Sequence, residues 1–198
     1  GRGGLKLDAA LDAFVVSVAG RRALDVGAST GGFTDCLLQR GAAAVVALDV
    51  GYGQLDWRIR EDTRVTVVER TNFRYVDPAA LGAPFGVVVA DLSFISLRTV
   101  APQLAAVGDA TSDTILLVKP QFEVGKDQVG RGGVVTEPAL HRSSILAVMS
   151  GLQEHGLVTV AAVPSPVKGA KGNREFLIHV RHHGDLIDDA VLDAIVRE

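Results

Sequence analysis

The stretch Leu24-Asp25-Val26-Gly27-Ala28-Ser29-Thr30-Gly31-Gly32-Phe33-Thr34-Asp35 decides how the rest of the chain is read. An apolar run ending in Asp25 and Gly27 predicts a strand, and Phe33 to Arg40 predicts a helix with Phe33, Leu37 and Leu38 on one face. The small residues between them let a ligand approach the backbone closely, and the helix N-terminus adds N–H groups and the positive end of a dipole. That is a nucleotide pocket in outline, although a tight structural turn in any α/β domain has the same composition. The glycines fall as G-x-x-x-G-G and not as the G-x-G-x-x-G of dinucleotide-binding domains, which argues against a pyrophosphate across the turn. The next strand, predicted over Ala43 to Val50, brings Asp49 to its end, the usual device for holding both hydroxyls of an adenosine ribose. Nicotinamide enzymes and S-adenosylmethionine enzymes both use it.

Outward from this turn, seven strand-like runs alternate with helices and loops. They are Ala23 to Val26, Ala43 to Val50, Arg64 to Val68, Phe85 to Ala90, Thr114 to Val118, Thr159 to Val163 and Glu175 to Val180. The first five are continuous and β-branched, as expected of parallel strands buried on both faces. Helices are predicted over Leu5 to Ala19 (apolar face Leu5, Leu11, Phe14, Val15, Val18), Ser96 to Val107, and Pro138 to His155. A last helix follows Asp185, read as its cap, and carries Leu186, Ile187, Ala190, Val191, Ala194 and Ile195. This is an α/β fold with one mostly parallel sheet and helices on both faces.

Ligands of open α/β sheets bind beyond the carboxyl ends of the strands. Those ends are polar here: Asp25 and Gly27, Asp49, Glu69 leading to Asn72, Asp91, and Lys119-Pro120. Asp91 and Lys119 each put a charge at the rim of a dry core, where each can supply the other's partner; a structural ion pair fits as well as a functional one. The glycine-rich segment Gln121 to Val134 predicts a lid, and Pro164 to Arg174 predicts a second flexible loop ahead of Glu175. All five lysines, Lys6, Lys119, Lys126, Lys168 and Lys171, fall in segments that can face one rim, a local basic patch suited to phosphates. Lys6 stands near the start of its predicted helix, where it opposes the macrodipole. Phe94 and Phe122 are expected in the core, with stacking on a splayed base as the functional alternative.

The 198 residues, 47% hydrophobic, suit one well-buried domain. A net charge of −3 gives no global nucleic-acid signature, so RNA contact has to rest on the local patch or on another domain. The single cysteine, Cys36, predicts no disulfide and no zinc cluster and suits a reducing cytoplasm. No apolar run approaches the roughly 18 residues that cross a bilayer, and no export signal opens the chain. The expectation is a soluble cytoplasmic protein without a membrane segment or a metal. The opening Gly1-Arg2-Gly3-Gly4, without methionine, is read as the start of a fragment whose N-terminal domain lies elsewhere.

With these residues laid out, the chain resembles the FtsJ-like ribose 2'-O-methyltransferases and, among them, the TlyA (hemolysin A) family. The resemblance runs from end to end. It rests on Asp25 to Asp35, on Ala90-Asp91-Leu92-Ser93-Phe94-Ile95-Ser96, on Val118-Lys119-Pro120-Gln121-Phe122-Glu123, and on Lys168-Gly169-Ala170-Lys171-Gly172-Asn173-Arg174-Glu175. It implies a Rossmann-like class I methyltransferase with a seven-stranded sheet, S-adenosyl-L-methionine as cofactor, and a cytidine ribose in ribosomal RNA as substrate. The implied catalytic tetrad is Lys6, Asp91, Lys119 and Glu175. The cofactor residues would be Asp25, Gly27, Ala28, Ser29, Thr30, Gly31, Gly32, Phe33, Thr34, Asp49, Val50, Asn72 and Asp91, with Asp49 on the ribose and Asn72 at the adenine edge. The resemblance also implies ribosomal subunits as partners and an S4-like RNA-binding domain ahead of this one. Lys119 is the residue expected to meet the ribose hydroxyl, as a neutral base or as a cation. Burial and Lys6 favour the neutral amine, whereas Asp91 and Glu175 favour the ammonium. The competing readings are a nicotinamide-dependent oxidoreductase, a non-catalytic RNA-binding protein and a membrane-active lysin.

Overall fold

Strands that are apolar at both odd and even positions need cover on both sides, and the chain supplies it. The computed structural model describes residues 1–198. Its strands are β1 (Arg22–Val26), β2 (Ala44–Leu48), β3 (Val65–Val68), β4 (Val87–Ala90), β5 (Asp113–Val118), β6 (Val158–Pro164) and β7 (Phe176–Arg181). They form one sheet in the order β3-β2-β1-β4-β5-β7-β6. β1 to β5 are parallel, and β7 lies antiparallel between β5 and β6. The helices are α1 (Arg2–Ala13), α2 (Gly32–Gln39), α3 (Trp57–Arg60), α4 (Pro78–Leu81), α5 (Ala101–Ala106), α6 (Pro138–Gln153) and α7 (Asp189–Arg197).

Side-chain alternation divides the interior in two. On one face Leu7 and Leu11 of α1 and Phe33 and Leu37 of α2 cover Val87, Val89, Ile115 and Leu117. On the other, Leu104, Ile145, Met149 and Leu192 cover Leu24, Val88, Leu116 and Ile178. Each such side chain contributes about 1.5–3 kcal/mol when fully buried.

Several predicted boundaries shift, each for a local reason. α1 begins at Arg2 and ends at Ala13, because Val15 turns into the left-handed region (φ 54°) and Val16 N–H closes back on the Leu11 carbonyl at 3.0 Å. Val15, expected on the apolar face, is therefore 89% exposed, and Val18 reaches the core from outside the helix. The segment expected as one helix from Ser96 is a 3-10 turn, Leu97–Val100, followed by α5, with Pro102 in the first turn of α5. The last helix is capped by Asp188 and not Asp185, leaving Leu186 and Ile187 outside it. β3, expected to be buried on both faces, is an edge strand with Thr66 exposed. The predicted lid is folded into 3-10 turns at Pro120–Phe122, Lys126–Gln128 and Arg131–Gly133. Asn173 pins its end, accepting from Val135 N–H and donating to the Gly133 carbonyl, both at 2.9 Å.

Candidate active site

Strand register and alternation assemble the charged residues. Asp25 follows Ala23 on β1, Asp91 continues the side of Val87 and Val89, Lys119 that of Ile115 and Leu117, and Glu175 that of Leu177. All four belong to the face covered by α1 and α2. The β5–β7 register, Val118 opposite Phe176, sets Lys119 against Glu175 when extended by one residue. α1 lies over the same corner because Gly3 and Gly4 pack backbone to backbone on Gly32; a β-carbon on Gly32 would sit 3.1 Å from the Gly4 nitrogen. That close crossing delivers Lys6, in the second turn of α1.

Two ion pairs result, one buried and one partly exposed at the cavity side. Lys119 Nζ lies 2.6 Å from Asp91 Oδ1, and Lys6 Nζ lies 2.7 Å from Glu175 Oε1. Lys6 is therefore not an unpaired cation opposing a helix dipole; it is held by a carboxylate. Lys119 Nζ also donates to Ser93 Oγ at 3.0 Å. Gly169 makes room for Glu175, since a β-carbon there would overlap the Glu175 carboxylate.

Beside the Lys119–Asp91 pair opens a cavity of about 510 Å³, with Asp91 in its wall. Gly27 (φ 84°) forms its floor, and a β-carbon there would overlap the Asp91 carbonyl oxygen. Asp49 is fixed at its edge, Oδ2 accepting from Ser29 N–H and Oδ1 from Gly51 N–H, both at 2.7 Å. Asn72 lines the wall, but its side-chain oxygen caps Arg74 N–H at 3.0 Å, leaving the amide NH2 for any ligand. Gly27, Ser29, Asp49, Val50, Asn72 and Asp91 reach the cavity.

The other residues expected to touch a cofactor support the turn from behind. Phe33 is buried under α1, and Ala28 packs with Ala47 and Leu55. Thr34 is buried and donates to Asp25 Oδ2 at 2.7 Å. Gly31 (φ 104°) sits tightly against Leu55 and Ile59; Thr30 accepts from Asp56 N–H, and Gly32 meets α1. Asp25 is fully buried, and its Oδ1 has no hydrogen-bond partner. Burial, reinforced by the nearby Asp91 charge and only partly offset by Thr34, pushes its pKa up to about 7.

The sequence reading passed over three side chains at the site. Ser93 lay inside the quoted Asp91 block but carried no charge to mark it. Gln54 and Thr71 line the cavity from loops with no motif. Phe94, expected in the core, is 88% exposed, with φ 65° and its ring tilted against Phe122 at 5.0 Å between centroids.

A Rossmann-like sheet, a glycine turn floored for close approach, an acidic residue ending β2 and a cavity at the carboxyl ends of the strands define the class I methyltransferase type of nucleotide domain. A Mesorhizobium loti S-adenosylmethionine-dependent methyltransferase has the same fold at a TM-score of 0.66 and 14% identity, covering 91% of this chain and 100% of that one. Residues 1–182 match the FtsJ-like methyltransferases, and the chain belongs to that family. It is 54% identical to the 16S/23S rRNA (cytidine-2'-O)-methyltransferase TlyA of Mycobacterium tuberculosis, over 98% of this chain and 75% of the relative. The crystal structure of a proposed hemolysin from Lactococcus lactis superimposes with a TM-score of 0.94 at 40% identity, covering 100% of this chain and 96% of that one.

Proposed function

We propose that this domain methylates the 2'-hydroxyl of a cytidine in ribosomal RNA, with S-adenosylmethionine as donor. The observation that carries the reading is Asp91 in the wall of the cavity, 2.6 Å from Lys119 Nζ, one carboxylate shared between ligand space and a partly buried amine. The named activity of the M. tuberculosis relative supports the substrate.

The residues present fit that donor. The tight turn at Gly27 and the Asp91 carboxylate both line the cavity, which suits a positively charged ligand, and Asp49 presents carboxylate lone pairs to a ribose diol. Bound there, S-adenosylmethionine supplies an electrophilic methyl group on a sulfonium. Asn72 would offer its amide NH2 to the adenine edge.

A ribose hydroxyl is a weak nucleophile, so the chain has to take or share its proton. Lys119 is the residue assigned to that oxygen, Asp91 aims it, and Lys6 with Glu175 forms the next pair behind. Two proton routes use this geometry. A neutral Lys119 accepts the proton and gives a kcat that rises with pH in a one-proton step; an ammonium Lys119 steadies the developing oxyanion while the proton passes to water, and gives a flat profile. Phe94, exposed at the cavity mouth, is placed to stack on the base of the target nucleotide. Docking on ribosomal subunits, and with it a cytoplasmic site of action, is proposed to be shared with an S4-like domain ahead of this one.

The test is methyl transfer to ribosomal subunits, read by mass spectrometry of digested nucleosides. Lys119→Ala should lower kcat by roughly 10²–10⁴-fold while the Kd for S-adenosylmethionine is retained. Near-normal turnover by that variant, or a product other than 2'-O-methylcytidine, overturns the reading.

A further inference from the structure

A lysine nitrogen is tetrahedral, with one position taken by Cε and three left for hydrogen bonds or a lone pair. At Lys119 two of the three are occupied, by Asp91 Oδ1 at 2.6 Å and Ser93 Oγ at 3.0 Å. A single partner would leave Nζ free to spin about the Cε–Nζ bond. Two partners fix it, and the third direction points one way only.

The loop holding Ser93 is built to keep it there. It is tied at its start, where Asp91 N–H donates to the Val26 carbonyl at 3.1 Å. At its end Glu123, buried and raised in pKa by that burial, accepts from Leu97 N–H at 2.9 Å and from the Ser96 hydroxyl. Glu123 stands on the turn that follows Lys119, so one carboxylate joins the loop of the amine to the loop of its two partners. Phe94, next to Ser93, keeps a left-handed backbone (φ 65°) that a bulky residue adopts only when its surroundings impose it. Ser93 itself lines the cavity and accepts the amine's hydrogen bond from there.

We propose that Ser93 is a positioning residue for methyl transfer. Together with Asp91 it saturates two directions of the Lys119 nitrogen, so that the remaining one meets the ribose hydroxyl. In the neutral amine that direction is the lone pair; in the ammonium it is the third N–H. This rests on the assignment of Lys119 made above.

The experiment compares wild type, Ser93→Ala, Ser93→Thr and Lys119→Ala in the same methyl-transfer assay on ribosomal subunits, with S-adenosylmethionine affinity measured by calorimetry. Ser93→Ala should lower kcat by about tenfold or more with KM for RNA and Kd for S-adenosylmethionine held within about twofold. Ser93→Thr, which keeps the hydroxyl at a position without a left-handed backbone, should restore most of the turnover. An alanine variant as fast as wild type beside a dead Lys119→Ala overturns the role of Ser93 alone, as does a loss confined to KM, or a threonine variant as slow as the alanine one. An active Lys119→Ala overturns the assignment beneath it and this inference together.

Discussion

Two carboxylates that flank the same turn in space have opposite electrostatic settings. Asp49 has both oxygens on backbone N–H groups at the cavity edge, and Asp49→Ala should weaken S-adenosylmethionine binding by about tenfold or more in calorimetry, the loss of a charged hydrogen-bond acceptor. Asp25 is sealed from water with one orphaned oxygen, and its raised pKa makes its proton a stabilising ligand of the folded state. That stability is fully present below the ordinary carboxylate range near 4 and is lost as pH rises through about 7. Above that the charged form costs on the order of 4 kcal/mol, from a shift of about three units. The Tm should therefore fall between about pH 4 and 7 and level off above that, by about 2–4 °C per kcal/mol, and Asp25→Asn should flatten the curve. A wild-type curve as flat as the variant's contradicts the assignment.

Loops and helices carry the residues into register, and their glycines are where this shows. Gly169 has an ordinary backbone (φ −83°), so alanine there is not strained by conformation; its methyl group would collide first with the Glu175 carboxylate. Gly169→Ala is expected to displace Glu175 from Lys6 and cut kcat by about tenfold or more, with S-adenosylmethionine affinity unchanged, since neither residue lines the cavity. Unchanged turnover would show that the Lys6–Glu175 pair is not needed for the chemistry. Gly3, Gly4 and Gly32 do comparable work between helices. Their backbone contact sets the height of α1 over the sheet and hence the reach of Lys6.

Over the whole molecule, charge is distributed by surface and not by sum. The β6–β7 connection and the segment after β5 both emerge at the rim of the strand carboxyl ends, with exposed Lys126, Arg131, Lys168 and Lys171 on them. Lys171 lies over Gly133, which links the two segments. Replacing these four cations by alanine should weaken RNA binding and reduce the slope of log K against log salt by about three, near the 0.7–0.9 expected per phosphate contact. An unchanged slope would place the phosphate contacts elsewhere. No helix is long and apolar enough to cross a membrane.

Much of this was legible in the sequence because it depends on short-range patterns. Continuous β-branched runs dictated a sheet covered on both faces, polar residues that break those runs marked the strand ends, and the turn from Asp25 to Asp35 identified the ligand side. Asp91 and Lys119 stood out as charges ending apolar runs, and motif resemblance joined Lys6 and Glu175 to them as one set. Other features were decided only by tertiary contacts. Which lysine pairs with which carboxylate follows from strand order and register, with β7 inserted antiparallel beside β5 and α1 crossing on three glycines. The end of α1 at a left-handed valine, the exposure of Phe94 and the capture of Lys119 by Ser93 arise from backbone turns and neighbours far apart in the chain, and no local propensity encodes them. A sequence states what each residue can do; the packed sheet decides which partner each one meets.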